Sequence, residues 1–238
     1  MKLLNFALER DDLCERLGGA MPSGALIVLE GEYGAGKSIL AQRLAYGLVH
    51  NASTVAYVST ELTTQGFLAQ MESLEYDVEA SMLEERLVFI PAYPLLGHRA
   101  PREDLLRRIV QARRMYTRDV IVFDAFSKFL ADHVRTVGGG RGALDQVEAV
   151  LFHFKRLTSM GKTIILTFEK NQVQEAVTAL FKEAADALVS LQFELIGNTA
   201  ARRVVVHRLS RAAGRFGDVI GFRVEPGVGI VIEIKSVV

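Results

Sequence analysis

The chain of 238 residues has one cysteine, no net charge and no apolar run long enough to cross a bilayer. A lone thiol, Cys14, cannot close an intramolecular disulfide, and no grouping of His and Cys has zinc-ligand spacing, so a reducing cytoplasmic setting is expected. Lys and Arg total 28 and Asp and Glu total 28, which leaves no whole-chain field to steer the protein toward nucleic acid. No nucleic-acid partner is expected without a local basic patch. The segment MKLLNFALERDD at 1–12 turns charged before an apolar stretch of signal-peptide length forms. Membrane contact is therefore expected only indirectly, through partners.

Against these absences, 50% of the residues are apolar, enough for a sizeable core in one domain spanning 1–238. Short β-branched runs alternate with longer segments of helical period: ALIVLE at 25–30, TVAYVS at 54–59, RLVFI at 86–90, DVIVFD at 119–124 and TIILTF at 163–168. Between them, helices are expected at about 37–50, 63–73, 102–116, 144–160 and 172–185. That rhythm predicts an α/β fold with a mainly parallel central sheet and helices on both faces. After Asp186 come strands without intervening helices, ALVSLQFELIG, RRVVVHRLS, VIGFRVE and GIVIEIK, with turn signals at Gly197-Asn198 and Pro226-Gly227. These are expected to pair antiparallel at the C-terminal edge. The Gly-dense stretch Gly138–Gly142 reads as a mobile loop.

GEYGAGKS at 31–38 fits the P-loop pattern G-x-x-x-x-G-K-[ST], with a strand run before it and helical period after it. Gly31, Gly34 and Gly36 let backbone N–H groups curl around phosphate oxygens, with Tyr33, Ala35 and Ile39 contributing the rest of the cradle. Lys37 is a point charge for the β and γ phosphates of ATP, and Ser38 a ligand for Mg2+. DVIVFD delivers Asp124 at the carboxyl end of a buried strand, as a second Mg2+ anchor or as a cap of the following segment. Glu61, in YVSTEL at 57–62, stands past another strand end, where it either aligns the attacking water or favours the start of the next helix. Thr167 and Glu169 are candidates for sensing the γ-phosphate, against a plain strand terminus. Arg202 to Arg215 holds five arginines on a strand pattern, either a solvated edge or a finger reaching a neighbouring subunit's phosphates.

With these residues placed, the chain resembles the RecA-like ATPases of the KaiC-like branch, beginning with LGGAMPSG at 17–24. Within the branch it is most similar to the ATP-binding subunits of the archaeal flagellum (archaellum) motor, through YVSTELTTQGFLAQMESL at 57–74 and GRFGDVIGFRVEPGVGIVIEI at 214–234. The resemblance implies a cytoplasmic protein peripheral to the membrane-embedded motor, a homo-hexamer, and docking on the motor ATPase and its scaffold protein under the control of ATP. It also implies that Arg208 and Arg211 are the trans-acting basic residues. KaiC-like relatives commonly carry two adjacent glutamates after the second strand, where this chain has Glu61-Leu62, so hydrolysis is expected to be slow or absent. Two other readings are compatible with the sequence. One is a signalling autokinase. The other is a DNA-acting ATPase using the GGGRG loop with Lys128 and Arg135.

Overall fold

The computed structural model describes residues 2–92, 105–138, 141–196, 199–211, 214–215 and 219–233. A short N-terminal unit comprises β1 (Leu3–Leu4), α1 (Leu13–Arg16) and β2 (Met21–Pro22). The main sheet is built from β3 (Leu26–Gly31), β4 (Val55–Ser59), β5 (Leu87–Pro91), β6 (Val120–Asp124), β7 (Thr163–Glu169), β8 (Ala187–Ile196), β9 (Thr199–Leu209), β10 (Val219–Glu225) and β11 (Gly229–Glu233). The helices packed around this sheet are α2 (Lys37–His50), α3 (Thr64–Ser73), α4 (Glu79–Leu83), α5 (Leu105–Gln111), α6 (Phe126–Val137), α7 (Arg141–Ser159) and α8 (Glu175–Ala184).

The nine strands lie in the order β11-β10-β9-β8-β3-β7-β6-β4-β5. From β8 to β5 all neighbours are parallel, and β9, β10 and β11 add antiparallel pairs at the other edge, as the sequence predicts. Apolar side chains of the central strands divide between two cores by the period of two along a strand. Ile27, Leu29, Tyr57, Val120, Val122 and Ile165 face the cluster under α2 and α3. Leu26, Val28, Ala56, Ile121, Phe123 and Ile164 face the cluster under α5 to α8. Burial on both faces explains why these strands read as continuous apolar runs rather than alternating ones.

The N-terminal unit is fastened to α2 by charge. Arg43, fully buried, donates from Nε and Nη2 to the two carboxylate oxygens of Asp11 at 2.7 and 2.6 Å, and from Nη1 to the Phe6 carbonyl at 3.0 Å. A bidentate pair out of water holds one geometry, and each partner depends on the other for its solvation.

Three expectations need correction. The helix expected at 102–116 is shorter within the described residues: α5 ends at Gln111, and a 3₁₀ turn at Met115–Thr117 follows. Tyr116 nevertheless stays on the apolar face, where its hydroxyl donates to the Ile109 carbonyl at 2.8 Å. The loop expected at Gly138–Gly142 is also shorter, because Gly138, at φ +77°, closes α6 while Arg141 and Gly142 already belong to α7. Finally, β6 and β7 are linked by two helices in series, and α6 is not among the helices expected. Gly139, Gly140, the 102–104 segment, the Gly197-Asn198 turn and residues 216–218 and 234–238 lie outside the described residues.

Candidate functional site

Parallel registration carries the carboxyl ends of the strands to one edge. Gly31 pairs with Glu169, and Ser59 with Asp124. Open α/β sheets place their ligands at this edge. Alternation then fixes the direction of each side chain. Asp124 shares a face with Val120 and Val122, Thr167 with Ile165, and Tyr57 with Val55, all toward α2.

The four polar groups meet under the first turn of α2. Asp124 Oδ1 accepts from Ser38 Oγ and from Thr167 Oγ1, both at 2.9 Å, and Oδ2 accepts from the Tyr57 hydroxyl at 3.0 Å. Asp124 and Tyr57 are buried. Burial pushes the Asp124 carboxyl above the usual range, and the bonds from Ser38, Thr167 and Tyr57 pull it back down. Burial also drives the Tyr57 phenol well above its ordinary value, and the neighbouring Asp124 charge adds to the effect. Thr167 does more than end a strand, since its Oγ1 also accepts from Ala125 N–H at 2.6 Å. That bond holds the left-handed Ala125 (φ +58°), where the chain turns from β6 into α6. Asp124 is thus bonded to Ser38 rather than capping the next helix, whose N-cap is Ala125 without a side-chain bond.

The loop before α2 is a strand-to-helix turn built on glycine. Gly34 and Gly36 have φ of +77° and +94°, and a Cβ on Gly31 would sit 2.6 Å from the Leu191 carbonyl. Gly36 caps α2 without any side-chain bond, so the first-turn N–H groups have no partner within the helix and the positive end of its dipole is open to an anion. Lys37 is nearly buried, and its ammonium donates to the Glu32 carbonyl at 2.7 Å. Desolvation lowers its pKa, opposed by Glu169, Asp124 and Glu61. A hollow of about 350 Å³ opens over this turn, bounded by Tyr33, Lys37, Ser38, Glu61, Glu169 and Arg202 among others. A larger hollow of about 410 Å³ lies elsewhere, but Glu72, Glu75, Asp77 and Glu79 line it, a charge that repels phosphate.

Glu61 stands at the rim, its side chain about half exposed and 3.9 Å from Lys128 Nζ. Its backbone N–H and that of Leu62 both donate to Ser59 Oγ at 3.2 Å. The following helix is capped by Thr63, whose Oγ1 accepts from Gly66 N–H at 2.8 Å, so Glu61 is not needed to start it. Leu62 packs against the core. Tyr33 is 85% exposed at the lip of the hollow. Gly31, Tyr33, Gly34, Ala35, Gly36, Lys37, Ser38, Ile39, Glu61 and Asp124 therefore gather at one edge.

Arg208 and Arg211 do not join them within one chain. Arg208 pairs across from Leu188, near the amino end of β3, and donates to the Lys182 carbonyl. Arg211 donates to the Gly24 carbonyl at 3.0 Å and lies 3.5 Å from Asp186. Two contributors to this edge belong to no sequence motif, Tyr57 and Arg202. The signal for Tyr57 is local: it carries the one hydroxyl ring in the otherwise small apolar run VAYV, on the same face as Ser59.

The donor set fits a nucleotide with a hard divalent cation: an ammonium and open N–H groups for phosphate, and a hydroxyl beside a carboxylate for the metal. A family model described as "ATPase: KaiC" matches residues 10–236. The archaeal flagellar ATP-binding protein FlaH of Methanocaldococcus jannaschii is 37% identical over 237 residues, covering 100% of this chain and 98% of that protein. FlaH of Methanococcus voltae is 34% identical over 237 residues, with both chains covered in full. The crystal structure of flagellar accessory protein FlaH from Methanocaldococcus jannaschii superposes with a TM-score of 0.89 at 36% identity, over 98% of this chain and 100% of that one. The KaiC-like protein PH0186 from Pyrococcus horikoshii shares the fold, with a TM-score of 0.74 at 19% identity, over 98% and 100% of the two chains. The RecA-like α/β fold, the matched family model and the full-length identity agree: the chain belongs to the KaiC family of ATPases and, within it, to the FlaH proteins of the archaeal flagellum.

Proposed function

We propose that this chain is an ATP-binding regulatory subunit of the archaellum motor, in which bound ATP, hydrolysed slowly or not at all, switches ring assembly and docking on the motor ATPase. The observation that carries the reading is the buried Asp124 carboxylate, which takes Ser38 and Thr167 on one oxygen and Tyr57 on the other, directly beneath the uncapped start of α2. Ser38 and Asp124 would hold Mg2+, and the N–H groups of Gly34 to Ile39 with Lys37 would hold the phosphates. When bound, Mg2+ supplies charge that offsets the triphosphate. Thr167, on Asp124, is placed to relay the occupancy of that position to Ala125 and the start of α6.

Glu61 supports the slow-turnover part of the reading. It is a single carboxylate at the strand end, half exposed and directed at Lys128, while Leu62 is turned into the core. The neighbouring position holds Leu62 rather than a second glutamate, so a water molecule beside Glu61 would have one adjacent base, with Glu169 elsewhere in the hollow, and the catalytic gain from alignment is small. In a homo-hexamer, Arg208 and Arg211 would be offered to the nucleotide of an adjacent copy. Docking would be on the motor ATPase and scaffold protein at the cytoplasmic side of the membrane. Among the described residues no helix is long and apolar enough to cross a membrane. Of the basic residues that a DNA-acting ATPase would use, Lys128 lies 3.9 Å from Glu61 and Arg135 3.5 Å from Asp132.

The test is to titrate magnesium-ATP into the wild type and Lys37→Ala while following mass by light scattering. The wild type should bind ATP and enter a larger assembly, and Lys37→Ala should do neither. An assembly state indifferent to ATP in both proteins would contradict the switch.

A further inference from the structure

The antiparallel edge of the sheet leans on the P-loop at one point. Arg202 on β9 stands between two phenylalanines, Phe193 on β8 and Phe222 on β10, which are its partners across the strands. Its guanidinium carbon lies 5.3 Å from the centre of the Phe193 ring. The Arg202 stem also approaches the loop. A Cβ on Gly36 would meet the Phe222 ring at 3.1 Å and Arg202 Cδ at 3.4 Å. Arg202 Nε donates to the Gly34 carbonyl at a long 3.3 Å, and among the described residues that is the only hydrogen bond its guanidinium makes. The planar head is therefore aimed at the hollow over α2, with donors to spare.

Charge gives this placement its meaning. Lys37 and Arg202 are the cations that line the hollow, and Glu61 and Glu169 are the anions, with Asp124 buried behind. Each phosphate added to a ligand there is opposed by those carboxylates and attracted by the two cations, so removing one cation weakens a triphosphate more than a diphosphate.

Resting on the reading of this hollow as the nucleotide site, we propose that Arg202 is a second cationic phosphate ligand, contributed in cis by the antiparallel edge, that favours ATP over ADP. Lys37 reaches the phosphates from α2, and Arg202 reaches them across Gly34 from the opposite wall. Because Arg202 is fixed between β8 and β10, the same contact ties the nucleotide to the edge strands.

The test compares the dissociation constants of magnesium-ATP and magnesium-ADP, by calorimetry on the full chain, for the wild type, Lys37→Ala, Arg202→Met, Arg202→Gln and Arg202→Lys. Arg202→Met keeps the stem packed on Gly36, and Arg202→Gln is read beside it so that a folding defect in one leaves the other. The expected result is a loss of about ten- to one-hundredfold in ATP affinity for Met and Gln, a smaller loss for ADP, and retention of the ATP preference in Lys. Equal losses for both nucleotides would reduce Arg202 to a packing role and overturn the proposal, as would no loss at all. If Lys37→Ala binds ATP as the wild type does, the nucleotide reading of the hollow itself fails. If Lys37→Ala loses ATP and the Arg202 variants do not, only the assignment of Arg202 fails.

Discussion

Replacing Tyr57 with phenylalanine removes one oxygen from the bottom of the site and leaves Asp124 Oδ2 without a donor in a place that water does not reach. The other carboxylate oxygen keeps Ser38 and Thr167, so the metal-facing geometry survives while the buried charge loses a third of its bonds. A hydrogen bond to a charged group contributes about 1.5–3 kcal/mol. In a domain of this size that corresponds to a fall in melting temperature of about 3–12 °C. The measurement is thermal and urea unfolding of Tyr57→Phe in buffer with chelator, so that no metal compensates the carboxylate. The pair is then closed as a cycle with Asp124→Ala. In that background the tyrosine hydroxyl has lost its acceptor, and its removal should cost far less than in the wild type, leaving a coupling of about 1.5–3 kcal/mol. Additive effects, or a Tyr57→Phe protein that melts with the wild type, would show that the hydroxyl does not sustain Asp124.

Two further predictions concern stability away from the site. Asp11→Asn, which leaves Arg43 buried without its charge partner, should destabilise the fold by about 3–5 kcal/mol in urea titrations, and a loss under 1 kcal/mol would contradict the role given to the clamp. His133 is buried with neither ring nitrogen bonded among the described residues, and burial lowers its pKa below 6.5. The unfolded chain therefore takes up the proton first as pH falls through 6.5, and stability present above that pH is lost below it. His133→Leu should thus gain stability relative to the wild type on going from pH 7.5 to 5.5, and a pH-independent difference would refute the assignment.

The elements legible in the sequence are those whose pattern repeats. Runs such as DVIVFD and TIILTF are unambiguous because both faces of the strand are covered, and the turn between β3 and α2 is legible because its glycine spacing carries its geometry locally. Two-residue strands and a four-residue helix carry no period, and so the N-terminal unit is not legible. Its attachment depends on Arg43 meeting Asp11, a contact between residues 32 apart. The site divides in the same way. Asp124 and Ser38 announce themselves by position, whereas Arg202 joins the rim of the hollow only because β9 folds back beside β8 and brings its head over Gly34, 168 residues away. Among five arginines in one segment, nothing local distinguishes the one that reaches the loop from Arg208 and Arg211, which bond at the other end of the sheet.

The most direct measurement of the account is the identity of the nucleotide that stays on the purified protein after prolonged incubation with ATP and Mg2+, read by chromatography beside Lys37→Ala and Glu61→Ala. Intact ATP is expected on the wild type and on Glu61→Ala, and none on Lys37→Ala. Steady conversion to ADP that Glu61→Ala abolishes would contradict it, and would make Glu61 a working base in an enzyme that consumes ATP.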